Sequence, residues 1–423
     1  MAKSNTRKEI LVYASWMGLK EPTLLGTLYS EIVRGKEIFS FEYSKAWLKS
    51  SFAQVIDPEL RFFSGTQYLT GSKNNFSIFL DSSPDRWGRV LMQRREAILA
   101  RKENKSPKTL IESDYLLGVY DENRVGGLRF KEEADGTFLN QDENLAAPPW
   151  TSINELQIAS LNFEKDEDLS ESEHLKWLNL LMAPGSSLGG TRPKASIIDT
   201  AGNLWIAKFP SVNDTKDIGG WEMVVYHLAS KCGINVAEAK VEKFSNHQYH
   251  TFLTKRFDRI KKARIHFASA MTMLGYTDDR DSHAGASYIE IADFIIKNGA
   301  RVNEDLKELW RRIAFSICAS NTDDHLRNHG FILTEKGWIL SPAFDVNPNE
   351  TGTGLSLNIS ENDNSLNFEL AIEVAEEFRI KKDEAEKSIK DIKSKVSDWK
   401  AVAEKYTISK TEQLMMGKAF RIK

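Results

Sequence analysis

Apolar residues recur at two different spacings along the chain, and the change from one to the other divides it. From about residue 9 to 135 short alternating runs predict strands, interrupted by one clear helix. That helix follows "SSPDRWGRVLMQRREAILARK", where Ser82 or Ser83 caps, Pro84 suits the first turn, and Val90, Leu91 and Ile98 fall at helical spacing. "GGLRF" at 126–130 predicts a closing strand. The stretch "KEEADGTFLNQDENLAAPP" then loses periodicity, gains acids and ends in two prolines, which predicts a linker over 131–149.

Beyond it, "SESEHLKWLNLLMAP" predicts a helix, and "KASIID" and "LWIAKF" predict a hairpin around "TAGN". A helix at "GGWEMVVYHLASKCG" stops at Gly233, and strands at "AEAKVEKF" and "YHTFLTKRF" flank the polar "SNHQ". The order is strand, strand, helix, strand, strand. From about 284 the pattern is mainly helical, through "GASYIEIADFIIKNG", "EDLKELWRRIAFSICAS" and a charged series ending in "KDEAEKSIKDIKSKVSDW". The expected segments are 1–149, 150–270 and 271–423, with no internal repeat.

Composition narrows the function classes. A chain of 423 residues exceeds one simple core, and 41% apolar with 28% charged residues describes an ordinary globular protein. A formal net charge of −3 provides no basic field, so direct capture of nucleic acid is not expected and any action on DNA would need a partner. The amino terminus predicts no secretory signal and no run is long enough to span a membrane, so a cytosolic location is expected. The two cysteines, Cys232 and Cys318, sit in apolar helical patterns and predict buried thiols rather than a disulfide.

Chemistry concentrates in "NTDDHLRN" at 321–328. His325 and His329 stand four apart, but a zinc-protease site needs a glutamate directly after the first histidine, and Leu326 stands there. Phosphoryl transfer fits better. Asp323 and Asn328 have the spacing of a kinase catalytic loop, where the aspartate takes the attacking hydroxyl's proton and the asparagine reaches magnesium. "GFIL" and "WILS" then predict a hairpin about "TEKG", and "AFD" delivers Asp345 as a second metal-binding acid. Upstream, Lys208 sits in an apolar strand where burial demands an anion, and Glu222, fourteen residues on, can supply it. Read separately, these are a polar loop before a hairpin, a strand-end lysine and a glutamate favoured by a helix dipole. The loop "GSSLGGTRPK" is a phosphate cradle or a plain turn, with Gly189, Gly190 and Thr191 letting backbone amides approach nucleotide. A phosphate on Ser186 or Ser187 would add about −1.5 to −2 charges there and block nucleotide or expel the loop.

Taken in order, "YASWMG", "FEYSKAWL", "SSPDRWGR", "VGGLRF", "SSLGGTRPKA", "LTKRFDR", "NTDDHLRNHGF" and "SPAFDV" resemble the HipA family of bacterial serine/threonine kinases, the toxins of HipA–HipB toxin–antitoxin pairs. The resemblance implies an α+β fold: a small mixed amino-terminal subdomain, a mixed α/β nucleotide-binding lobe and an all-helical carboxy-terminal lobe. It implies ATP and Mg2+, with Asp323 as base, Asn328 and Asp345 as metal ligands and Lys208 on the phosphates. Asp258 and His325 would line the nucleotide pocket, and the backbone from Lys255 to Phe257 would face adenine. Ser187, with Ser186 beside it, matches the inactivating autophosphorylation site. The implied partners are a HipB-like DNA-binding antitoxin and a cytosolic protein target, for which aminoacyl-tRNA synthetases are the family precedent, with persistence as the implied setting. Two other classes stand beside this reading: a repressor-binding module with catalysis secondary or lost, and a small-molecule phosphotransferase.

Overall fold

The computed structural model describes residues 7–50, 52, 54–71, 73–165, 171–181, 192–244, 247–277 and 285–422. Two compact units divide the chain: Met1–Ala207 with Asp258–Ala268, and Lys208–Phe257 with Ser269–Lys423. Both mix helices and sheet, and the fold is α+β.

The first unit is built on an antiparallel sheet of β1 (Lys8–Ala14), β2 (Thr23–Val33), β3 (Lys36–Tyr43), β4 (Gln67–Tyr68) and β5 (Leu128–Lys131), in the order β4-β3-β2-β1-β5. Alternation turns Ile10, Val12 and Ala14 of β1 inward, where one sheet face meets an aromatic core in which Phe79 packs on Phe41 and Phe130. Helix α1 (Arg86–Lys102) begins two residues later than a Ser83 cap would start it. Asp85 is the cap, accepting the Gly88 N–H at 2.8 Å, while the Ser83 hydroxyl donates back to the Phe79 carbonyl. Pro84 therefore precedes the helix, and of the three apolar positions Leu91 and Ile98 are buried while Val90 is exposed.

Residues 131–149 lie within this unit, with Leu145 buried and Asp142 held by Arg95 at 2.8 Å. Arg124 is fully buried and donates to the carbonyls of Ser82, Leu116, Val119 and Leu139, which stitches four segments together. Helices α2 (Ile153–Lys165) and α3 (Glu171–Leu181) follow, then the hairpin of β6 (Lys194–Ile198) and β7 (Leu204–Lys208). Asp199 holds its turn by accepting the N–H groups of Ala201 and Asn203 and the indole of Trp205.

The second unit begins at Lys208 and continues through α4 (Ile218–Lys231) and the antiparallel pair β8 (Ala239–Glu242) and β9 (Thr251–Lys255). Helix α5 (Tyr288–Asn298) starts on a Ser287–Glu290 capping box. The amphipathic α6 (Val302–Ala319) buries Leu306, Leu309, Trp310, Ile313 and Ile317. After it comes the predicted hairpin, β10 (Gly330–Thr334) and β11 (Gly337–Leu340), set among helices. The chain closes with α7 (Lys382–Val396), α8 (Trp399–Lys405) and α9 (Lys410–Met416). Among the described residues no helix is long and apolar enough to cross a membrane, and both cysteines are buried thiols.

Candidate active site

Lys208 ends β7 with its side chain 12% exposed. Its Nζ donates to Glu222 Oε1 and to Asp345 Oδ1, each at 2.7 Å. Burial alone would pull the ammonium down, but the Asp345 and Glu222 carboxylates outweigh it and hold the lysine above its usual range. The separate readings of an exposed lysine at the strand end and a first-turn glutamate favoured by the dipole therefore fail: the lysine is buried, and the first turn holds no acid. Glu222 sits in the second turn of α4, 2% exposed, and the two charges are buried as a pair. Asp345 reaches the lysine from a left-handed backbone, φ 57°, which is uncommon outside glycine. Asn347 Nδ2 donates to the same Asp345 oxygen at 3.0 Å.

The 321–328 loop is built by the end of α6. Ser320 turns left-handed at φ 48°, the Asn321 N–H bonds back to the Ser316 carbonyl, and the Asn321 side-chain oxygen receives the Asn347 N–H at 2.9 Å. That last bond ties the loop to the segment carrying Asp345. Asn328 Nδ2 donates to the Asp323 carbonyl at 2.8 Å, which leaves its Oδ1 buried and without a partner among the described residues. An orphaned amide oxygen on the loop tied to the Asp345 segment suits a hard divalent cation, so Asn328 and Asp345 fit a magnesium ion.

Partial desolvation, with the fields of Asp345 and Asp324, pushes the Asp323 carboxyl up, and His325 opposes them. Its side chain is nonetheless 83% exposed, so these fields act across water and are screened. His325 Nε2 lies 4.0 Å from Asp323 Oδ1, and its Nδ1 is buried without a partner among the described residues. The two histidines do not share a face. His329 Nε2 lies 2.9 Å from Asp324 Oδ1, deep against Tyr288, and among the described residues no three His, Cys, Asp or Glu side chains group to hold a metal.

The sequence reading passed over Asp324. It is buried, accepts the Tyr288 hydroxyl at 2.6 Å and the Ser316 hydroxyl at 3.3 Å, and thereby anchors the loop to α5 and α6. Burial would raise it, but His329 and Tyr288 outweigh that and hold it below the usual carboxylate range. The acidic doublet beside Asp323 was the available signal. Asn321, Asp324, Asn328, His329 and Phe344 line a common cavity of about 20 Å3, room for about one water.

Lys208, Glu222, Asp323, His325, Asn328 and Asp345 all belong to the second unit. Lys255 and Phe257 do as well: the Lys255 N–H donates to the Glu238 carbonyl at 2.8 Å, and the Phe257 ring packs on Phe344 at 5.6 Å. Asp258 belongs to the first unit, where its buried carboxylate accepts the Gly126 N–H and the Arg259 guanidinium, each at 2.8 Å. Ser186, Ser187, Gly189, Gly190 and Thr191 lie outside the described residues.

The HipA-like C-terminal domain family matches residues 186–399, just over half of the chain. A Haemophilus influenzae protein named as a candidate kinase is 27% identical over 180 residues, 38% of this chain and 52% of its own, so the chain spans about half of that relative's length. The serine/threonine-protein kinase toxin HipA of Shewanella oneidensis is 23% identical over 343 residues, covering 73% of this chain and 70% of that protein. Among solved structures, the Shewanella oneidensis complex of HipA, HipB and operator DNA contains a chain that superposes with a TM-score of 0.63 at 15% identity. That match covers 96% of this chain and 94% of the other, and it shows the fold.

Proposed function

Because the chain belongs to the HipA-like C-terminal domain family, we propose that it is an ATP-dependent protein kinase that phosphorylates serine or threonine hydroxyls. One observation carries the reading. A buried lysine bridges a helix glutamate and the aspartate after the hairpin, and the loop tied to that aspartate presents an unpartnered amide oxygen. Kinases use this combination to hold phosphates and their counterion.

In this mechanism Asp323 accepts the proton of the target hydroxyl as its oxygen attacks the γ-phosphorus of ATP, and ADP departs. Lys208, oriented by Glu222, sets its positive charge against phosphate oxygens without having to reorganise. Asn328 and Asp345 would hold magnesium, which would supply positive charge against the phosphates. The backbone of Lys255 to Phe257 would face adenine with His325 beside the nucleotide, and Asp258 and the Gly189–Thr191 loop are further candidates for nucleotide contact. Phosphorylation of Ser187 or Ser186 adds negative charge beside the ATP phosphates and switches the enzyme off. The substrate is a cytosolic protein, and the partner is a HipB-like DNA-binding antitoxin of the kind named in the Shewanella complex.

The test is incubation of the purified protein with Mg-ATP, followed by intact mass and phosphopeptide mapping. Phosphate is expected on Ser186 or Ser187, and Asp323→Asn should slow its appearance by about two to four powers of ten. Transfer unaffected by that change would remove Asp323 from the chemistry.

A further inference from the structure

The helix that carries Glu222 is fastened at its first turn by the carboxy-terminal end of the chain. Asp217 caps α4, accepting the Gly220 N–H at 2.9 Å. The cap's own N–H donates to Glu412 Oε2 at 2.9 Å, and the Trp221 indole donates to the same oxygen at 3.1 Å. Residues 409–412 read Ser-Lys-Thr-Glu, the pattern of a capping box. Ser409 does cap α9, accepting the Glu412 N–H at 3.2 Å. The glutamate's Oε2, however, is turned outward onto α4.

The approach is close because Gly220 allows it: a Cβ there would fall 2.5 Å from Ile408 Cδ1. Gly219 gives the same room to the His250 carbonyl oxygen, 2.4 Å from where its Cβ would fall. Around the clamp, Trp221 packs on Trp399 and Phe420, which stack on each other at 4.6 Å. Nothing in the chemistry of phosphoryl transfer calls for Glu412. The bonds of its Oε2 end at residues 217 and 221, immediately before the glutamate that holds Lys208.

We infer that α9 is a strut and that Glu412 is a positioning residue, acting through the first turn of α4 on Glu222 and so on Lys208, an inference that rests on the kinase reading. A stable α4 keeps the lysine aimed; an unfastened one lets Glu222 swing and Lys208 lose its set. The effect should fall on the transition state, which leans on Lys208 more than bound ATP does.

The experiment compares full-length wild type with Glu412→Ala, Glu412→Gln and Glu222→Ala, alone and combined. Glu412→Ala should lower kcat about tenfold while the KM for ATP stays within about twofold. Glu412→Gln, which keeps an acceptor oxygen, should restore most of the rate. In the Glu222→Ala background Glu412→Ala should cost less than about twofold more, because both act through one contact. An equal cost in both backgrounds overturns the inference. Two readouts do not need activity: hydrogen exchange at 218–223, and acylation of Lys208 followed by peptide mass. Both should rise in Glu412→Ala and not in Glu412→Gln, and no rise in either sinks the strut. If wild type transfers no phosphate, the kinase reading falls, and these two readouts still decide whether the strut exists.

Discussion

Replacing Lys208 by methionine preserves much of its volume and removes only the charge. Asp345, with its side chain 21% exposed, can recover water, but Glu222 at 2% cannot. Breaking a buried pair from one side costs about 3–5 kcal/mol, most of it the stranded ion, and that is the loss expected near pH 7.5. A carboxyl penalised this heavily escapes by taking up a proton, at about 1.4 kcal/mol for each pH unit. The sign follows: the variant's folded form binds a proton more readily than its unfolded form, so the deficit shrinks on acidification. It should fall to about 1 kcal/mol by about pH 5. Lys208 stays charged in the wild type across this window, because its titration lies far above it. With two units in the chain, a single global unfolding curve is the wrong measure. Native-state hydrogen exchange of the α4 amides, compared between variant and wild type at the two pH values, reads the local deficit instead. A deficit below about 1 kcal/mol near pH 7.5, or one equal at both pH values, would refute the buried-pair account.

Other consequences are as open to measurement. Asp323 must be ionised to act as base, and its carboxyl is pushed up, so transfer should fail as pH drops through that raised value; removing the opposing charge in His325→Ala should move this acid limb to higher pH in a pH–rate profile. Asn328→Ala deletes the unpartnered oxygen and should raise the magnesium concentration for half-maximal transfer at least about tenfold, with the same shift in magnesium-dependent thermal stabilisation by ADP. Gly219→Ala drives a methyl against the His250 carbonyl and should destabilise α4 by about 1–3 kcal/mol, seen as faster exchange of its amides, whereas Gly202→Ala has open space beside it and should act only through its turn conformation.

What could be read in the sequence was what neighbours along the chain decide. The 3.6-residue spacing of "EDLKELWRRIAFSICAS" predicts α6, the turn "TAGN" predicts the β6–β7 hairpin, and the Asp323–Asn328 spacing with Asp345 beyond a second hairpin marks the loop. Each depends on periodicity, turn chemistry or a fixed offset. The α1 cap was misread because Ser82, Ser83 and Asp85 all carry capping side chains, and local preference cannot tell which of them meets the free N–H groups of the first turn; Asp85 does, on Gly88. Asp324 was missed for a related reason: one of two adjacent acids turns inward, and only the partners waiting there, Tyr288 and Ser316, decide which.

The tertiary structure alone decided where the charges went. Lys208, Glu222 and Asp345 are separated by 14 and 123 residues, and their bonds exist because the fold withdraws Lys208 and Glu222 from water, where neither could stay charged unpaired, and brings Asp345 to the same ammonium. The same holds for Glu412, whose sequence signature points to its own helix. Its oxygen serves another helix because Gly220 leaves room for the approach and the N–H groups of Asp217 and Trp221 needed an acceptor. The sequence determined which chemical groups the chain owns and which short elements carry them. Burial, which charges every unpaired polar group a desolvation cost, determined which of them meet.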